Sequence, residues 1–151
     1  MGLSAWILGQ SPNRQMLYPK LEMMVFLCAW KASLSNVRLD INCDWQHDNK
    51  VLACLGLRRQ LQRYSQFAFK ADDQPSKSVI ILARKVNNPL NEEQIGEIAD
   101  YFRFLSGQTD SQIRRLCFEA YPIRTSQAGI PFNIPERALA YKQSKRAKSP
   151  A

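Results

Sequence analysis

The sequence predicts an α+β fold, mainly helical, with about five helices and two short strands around a single core. Three observations predict it. Nearly half of the 151 residues are apolar, enough for a chain of this length to bury roughly 68–70% of its unfolded surface. Several apolar stripes recur at spacings of three and four and carry helix start and stop residues. Two stretches, residues 37–43 and 77–86, instead show period-two alternation or a β-branched run bounded by turn residues.

Residues 1–18 mix Gly, Ser, Pro and Asn with the apolar anchors Trp6, Ile7 and Leu8, and predict a loosely docked N-terminal arm. Residues 19–141 form the globular domain. Tyr18-Pro19 opens its first helix, since proline tolerates the first turn. Leu21, Met24, Val25, Leu27 and Cys28 continue it through residue 34. Apolar side chains surround this helix almost completely, which predicts a buried central position.

Val37, Leu39, Ile41 and Cys43 alternate with Arg38, Asp40 and Asn42, the pattern of a half-buried strand. Residues 44–49 read as a polar turn. Residues 50–69 fit a helix through Val51, Leu52, Leu55, Leu61 and Tyr64, although Gly56 interrupts it and VLACLGL also suits a strand. After a loop at 71–76, Val79-Ile80-Ile81-Leu82 predicts a buried strand.

The best-signalled helix covers residues 92–106. Asn91 is a favourable N-cap, Glu92 and Glu93 suit the positive end of the helix dipole, and Ile95, Ile98, Phe102 and Leu105 form its stripe. Gly107 stops it. Thr109 followed by Gln112 is a capping box, opening a helix that runs from residue 110 to 121 with Ile113, Leu116, Cys117 and Ala120 inward. A last short helix is expected at 135–143. Residues 142–151, KQSKRAKSPA, read as a basic, flexible tail.

The formal net charge is +8. A positive surface attracts polyanions and accelerates encounter with them. The four cysteines, Cys28, Cys43, Cys54 and Cys117, contain no C-x-x-C pair, and the one histidine, His47, pairs in sequence only with Cys43. Structural zinc draws on two close pairs, so no metal site is expected. Three cysteines sit in apolar runs, and all four read as reduced thiols, which suits a cytoplasmic location. The N-terminus lacks the basic-then-apolar pattern of a secretory signal. Position 6 is Trp rather than the Ser or Thr of a myristoylation signal. The longest apolar run, residues 23–30, is far short of the ~20 residues of a membrane span, so no membrane partner is expected.

No phosphate-binding glycine motif is present, and no cofactor is expected. Asp44, His47 and Asp48 cluster around the single histidine, but three polar residues in one turn more often bond the turn itself. Cys43 and His47 have no third orienting residue. The chain therefore reads as no enzyme.

The paired helices at 92–121 suggest a function. The LSG-xx-D-xx-IRRL stretch, residues 105–116, resembles a helix-turn-helix. That resemblance implies a second helix in the DNA major groove with Thr109, Ser111, Gln112, Arg114 and Arg115 towards bases and phosphates. Arg103 and Gln108 depart from the pattern, standing where a small and an apolar residue are usual, and Asp110 brings a negative charge. Further basic candidates are Arg58, Arg59 and Arg63, and Lys142, Lys145, Arg146 and Lys148 in the tail. Aromatic residues alternate with basic ones from Arg63 through Tyr64, Phe67 and Phe69 to Lys70, and at Tyr101 to Phe104, as in single-strand binders.

The expected function is thus a small nucleic-acid-binding regulator or accessory factor, DNA being favoured over RNA. The alternative is a non-enzymatic subunit of a larger protein or ribonucleoprotein assembly, docked on a protein partner or on a second copy of the chain.

Overall fold

A long central helix organises the structure, a computed structural model that describes residues 1–39, 41, 43–74 and 77–148. Its elements are α1 (Gly2–Gly9), a 3₁₀ turn, β1 (Gln15–Leu17), the central α2 (Tyr18–Leu34), β2 (Asp44–His47), β3 (Leu52–Leu55), α3 (Leu57–Gln62), β4 (Phe67–Lys70), β5 (Val79–Leu82), α4 (Glu92–Ser106), α5 (Asp110–Glu119), α6 (Tyr121–Arg124) and α7 (Ile134–Lys148). The fold is α+β and mainly helical. The described residues hold more, and shorter, elements than the sequence pattern suggests.

Leu21, Met24, Val25, Phe26, Leu27, Cys28 and Ala32 of α2 are all buried. The helix can be apolar on every side because α1, α4, α5 and α7 each pack against it. Asn91 and Gln94 form the capping box of α4, each side chain bonding the other's backbone at 2.8 Å.

The N-terminus differs from the expected loose arm. Leu3, Ala5, Trp6, Ile7 and Leu8 are buried, and α1 lies against α2 and β5. Trp6 meets Phe102 edge-on at a centroid distance of 5.0 Å. An apolar octapeptide shows no amphipathic stripe when both of its faces are covered, so its periodicity is silent.

Two small antiparallel sheets complete the fold. In the first, β5 lies between β1 and β4, with Met16 opposite Ile80 and Phe67 opposite Leu82. This register places Met16, Phe67, Phe69, Ile80 and Leu82 on one face, since directly paired residues share a side of the sheet. The second is the hairpin β2–β3, with Trp45 opposite Cys54 and His47 opposite Leu52. Asp48 Oδ1 accepts the Lys50 and Val51 amides at 2.8 and 2.7 Å and closes its turn. Trp45 also exchanges backbone hydrogen bonds of 2.8 Å with Phe132.

The hairpin corrects two expectations. None of the described residues of 37–43 lies in a strand, and the strand begins where the polar turn was expected; Asp40 and Asn42 lie outside the described residues. Trp45 and His47 are the inward-facing alternate positions, and β3 supplies a partner for them, which alternation alone does not identify. Residues 50–69 are not one helix either. Gly56 adopts φ +86°, a left-handed conformation that interrupts a helix and favours glycine, so the segment divides into β3, α3 and β4.

The thiols are corrected in part. Cys43 and Cys54 form a disulfide across 11 residues, while Cys28 and Cys117 are free and buried. The free-thiol argument for a reducing compartment therefore does not extend to the first pair. No helix among the described residues is long and apolar enough to cross a membrane.

The expected C-terminal tail is also ordered differently. Residues 142–148 extend α7 rather than leaving it. They are mostly good helix formers, and Lys142 ties the helix to α2, its Nζ donating to Ser33 O at 3.2 Å and Asn36 Oδ1 at 2.6 Å. Residues 149–151 lie outside the described part.

Candidate nucleic-acid interface

The structure distributes the basic candidates over three elements. On α5, Thr109 and Gln112 are engaged with each other. The Gln112 amide donates to Thr109 Oγ1 at 3.2 Å, and the Thr109 amide donates to Gln112 Oε1 at 2.8 Å. Arg114 donates to the Lys50 carbonyl and lies 5.5 Å from the centre of the Phe118 ring. Arg115 pairs with Glu119 at 3.3 Å, and Asp110 pairs with Lys20 at 3.3 Å. Ser111 is exposed. Both α4 and α5 rest on α2 rather than chiefly on each other, whereas a DNA-reading pair is a unit in which the first helix supports the second.

Of the second group, Arg59 and Arg63 are exposed. Arg58 is spread over the rings of Phe69 and Tyr18, at 5.0 and 5.7 Å. Beneath them lies Glu22, a buried carboxylate on α2 whose Oε2 accepts the Cys54 amide at 2.7 Å. Burial pushes the Glu22 pKa up to about 7, against the opposing pull of the Cys54 amide and of Arg58. Burial also raises the Tyr18 phenol, with the Glu22 charge adding to it.

The third group lies on α7 and has a setting that its sequence pattern does not announce. Tyr141 meets Trp30 of α2 edge-on at 5.7 Å and Tyr121 of α6 at 5.1 Å. Trp30 and Tyr121 are nearly parallel, their planes 10° apart and centroids 6.2 Å apart. All three rings are partly exposed. The Arg137 guanidinium lies over Tyr121 at 5.6 Å, and Lys145 Nζ over Tyr141 at 5.2 Å. Arg146 is exposed farther along. Lys148 is the last residue of the helix, and its side chain lies outside the described part. Arg137, Tyr141 and Lys145 are spaced by four, so one helix face carries all three. That spacing is visible in the sequence once the helix is extended past residue 143; the proximity of Trp30 and Tyr121 is not.

The possible acid–base cluster has structural partners. His47 is buried; its Nδ1 accepts the Asn49 amide at 3.3 Å, leaving Nε2 to donate to Ser126 O at 3.1 Å. Asp48 is occupied by its turn, whose amides hold its carboxyl below the usual range. The Cys43 sulfur is in the disulfide.

No protein-family model, curated protein or solved structure matches this chain.

Proposed function

We propose that this protein is a non-enzymatic nucleic-acid-binding factor whose principal contact is the C-terminal helix α7. One observation carries the reading. From Arg137 to Lys148 the helix bears Arg137, Lys142, Lys145, Arg146 and Lys148 and no carboxylate. A helix of this kind places successive cations along a rigid rod, where each phosphate contact releases a condensed counterion. The +8 net charge of the chain adds long-range attraction. The α5 face supports the reading less, because the carboxylates of Asp110 and Glu119 lie on the same helix and Glu119 pairs with Arg115.

The test is an electrophoretic shift against duplex DNA, single-stranded DNA and RNA over a salt series. Binding that weakens steeply with salt is expected. Lys145→Ala combined with Arg146→Ala should reduce the slope of log affinity against log salt by about two. Absence of binding to every nucleic acid at low salt overturns the proposal.

A second reading, docking within a larger assembly, is favoured by one feature. A groove of about 1010 Å³ runs between α2 and α7, with Leu55 and Leu139 on its walls 42% and 58% exposed. Apolar side chains left open beside a groove are common at protein interfaces. Loss of all nucleic-acid binding, together with an interface mapped to Leu139, would favour this reading.

A further inference from the structure

We infer that the end of the three-stranded sheet bearing Arg14, Arg63, Arg84 and Lys85 is a second nucleic-acid contact, holding the phosphate backbone of a strand that also engages α7. The inference rests on the nucleic-acid reading above and deepens it. The strand register gathers these cations from three separate loops. Gln15 of β1 is opposite Ile81 of β5, and Phe67 of β4 is opposite Leu82. The residues before β1, before β4 and after β5 therefore emerge at one end of the sheet. Arg14 immediately precedes β1, and Arg84 and Lys85 follow β5. Gln66, just before β4, accepts the Ala83 and Arg84 amides at 2.7 and 3.3 Å, and the Phe67 amide donates to Tyr64 O at 3.2 Å. The turn carrying Arg63 and Tyr64 thus lies beside Arg84. Neighbouring strands are about 4.8 Å apart, so the two outer loops stand about 10 Å from each other. Arg59 precedes Arg63 by one helical turn and extends the patch along α3.

All five side chains are exposed, and among the described residues none of them has an ion-pair, hydrogen-bond or ring partner. Asp72 and Asp73 follow β4 at its opposite end, where Lys70 is opposite Val79. Like charges gathered in this way repel one another, and a bound polyanion relieves the repulsion. Four of the five are arginines, whose forked donors match phosphate oxygens. Lipid surfaces and protein partners are held in addition by inserted or buried apolar anchors, and the one large apolar side chain exposed in these loops is Tyr64. The patch is also distinct in place from α7. Arg58 lies over Tyr18, the first residue of α2, which sets α3 at that end of the helix. Lys142 of α7 bonds Ser33 O at the other end. The 17 residues of α2 span about 25 Å, a distance that a nucleic acid of about 20 nucleotides can cover.

The test uses the full chain with a fluorescein-labelled DNA duplex and with thymidine and uridine oligomers, each about 20 nucleotides long, followed by anisotropy over a salt series. Arg63→Ser combined with Arg84→Ser should weaken binding of the tightest of the three by about tenfold near 0.1 M salt and lower the slope of log affinity against log salt by about two. Arg63→Lys with Arg84→Lys, which keeps both charges, should retain the parental slope. Adding Lys145→Ala and Arg146→Ala to the serine pair should lower the slope by about four, since distant contacts add. A parental thermal melt shows that the serine pair leaves the fold intact; if the melt shifts, Arg14→Ser with Lys85→Ser replaces that pair. Parental affinity and slope in a folded serine pair overturn this inference while leaving the contact at α7 standing. So does sedimentation with phosphatidylserine vesicles that the serine pair loses while its oligomer binding is unchanged, which assigns the patch to lipid headgroups. No binding of the parent to any of the three nucleic acids overturns both.

Discussion

The carboxylate of Glu22 accepts the backbone amide of Cys54 at 2.7 Å in the interior of the protein, joining the central helix to the hairpin strand that carries the disulfide. The bond satisfies one lone pair, yet burial dominates and raises the pKa to about 7 from an ordinary 4.5.

A pH dependence of stability follows from it. Between 4.5 and about 7 the folded state retains the Glu22 proton while the unfolded chain has released it. The folded state therefore binds more protons in that window, and stability falls as pH rises through it, by roughly 3 kcal/mol in all. Gln at this position can still accept the Cys54 amide but cannot ionise. Glu22→Gln should match the parent at low pH and exceed its stability above pH ~7. Denaturant unfolding at about pH 5 and about pH 8 measures the difference; a variant that is less stable at both would refute it.

Closing an 11-residue loop by the Cys43–Cys54 disulfide is worth about 2–3 kcal/mol through the entropy of the unfolded chain. Cys43→Ser should cost that much, and treating the parent with a dithiol reductant should produce a matching fall in the denaturation midpoint. A midpoint indifferent to reductant would mean that the two sulfurs are not bonded in solution.

The docking of α1 is testable by truncation of one buried side chain. Leu8 is fully buried, so Leu8→Ala should cost about 2–5 kcal/mol. Gly2 offers a second probe. A Cβ added there would lie 2.4 Å from the Pro89 carbonyl oxygen, so Gly2→Ala should cost about 1–3 kcal/mol by overpacking. In a loosely docked arm neither change would be felt in thermal melting.

The capping box of α5 predicts that Thr109→Ala costs about 1 kcal/mol of stability. The carboxylates of Asp110 and Glu119 offset the cations of α5, whereas α7 bears no carboxylate from Arg137 to Lys148. Arg114→Ala with Arg115→Ala should therefore reduce nucleic-acid affinity less than Lys145→Ala with Arg146→Ala, measured side by side at one salt concentration. The opposite order would return the principal contact to α5.

Local signals were sufficient wherever a helix has one wet face and a punctuated end. Asn91 with Gln94 and Thr109 with Gln112 announce α4 and α5 in the sequence, and the structure contains both capping boxes. The same holds for Val79–Leu82, whose β-branched run has turn residues on both sides. Periodicity failed where both faces are covered, as in α1, and where a strand's partner decides its extent, as in β2. Gly56 was legible as an obstacle to a helix at 50–69, but the choice of strand on either side of α3 depends on pairing with β2 and β5.

The candidate site divides in the same way. By itself the sequence determined the charge, the main helices and the run of cations ending at Lys148, because these depend on residue identity and short-range spacing. Tertiary structure decided what each cation meets. Arg115 meets Glu119, Lys142 meets the end of α2, and Lys145 meets Tyr141. It also decided that Trp30, Tyr121 and Tyr141, about ninety and twenty residues apart along the chain, share one surface. Such neighbours are chosen by how α6 and α7 pack on α2, and packing depends on shape matched across distant segments, which no local pattern encodes.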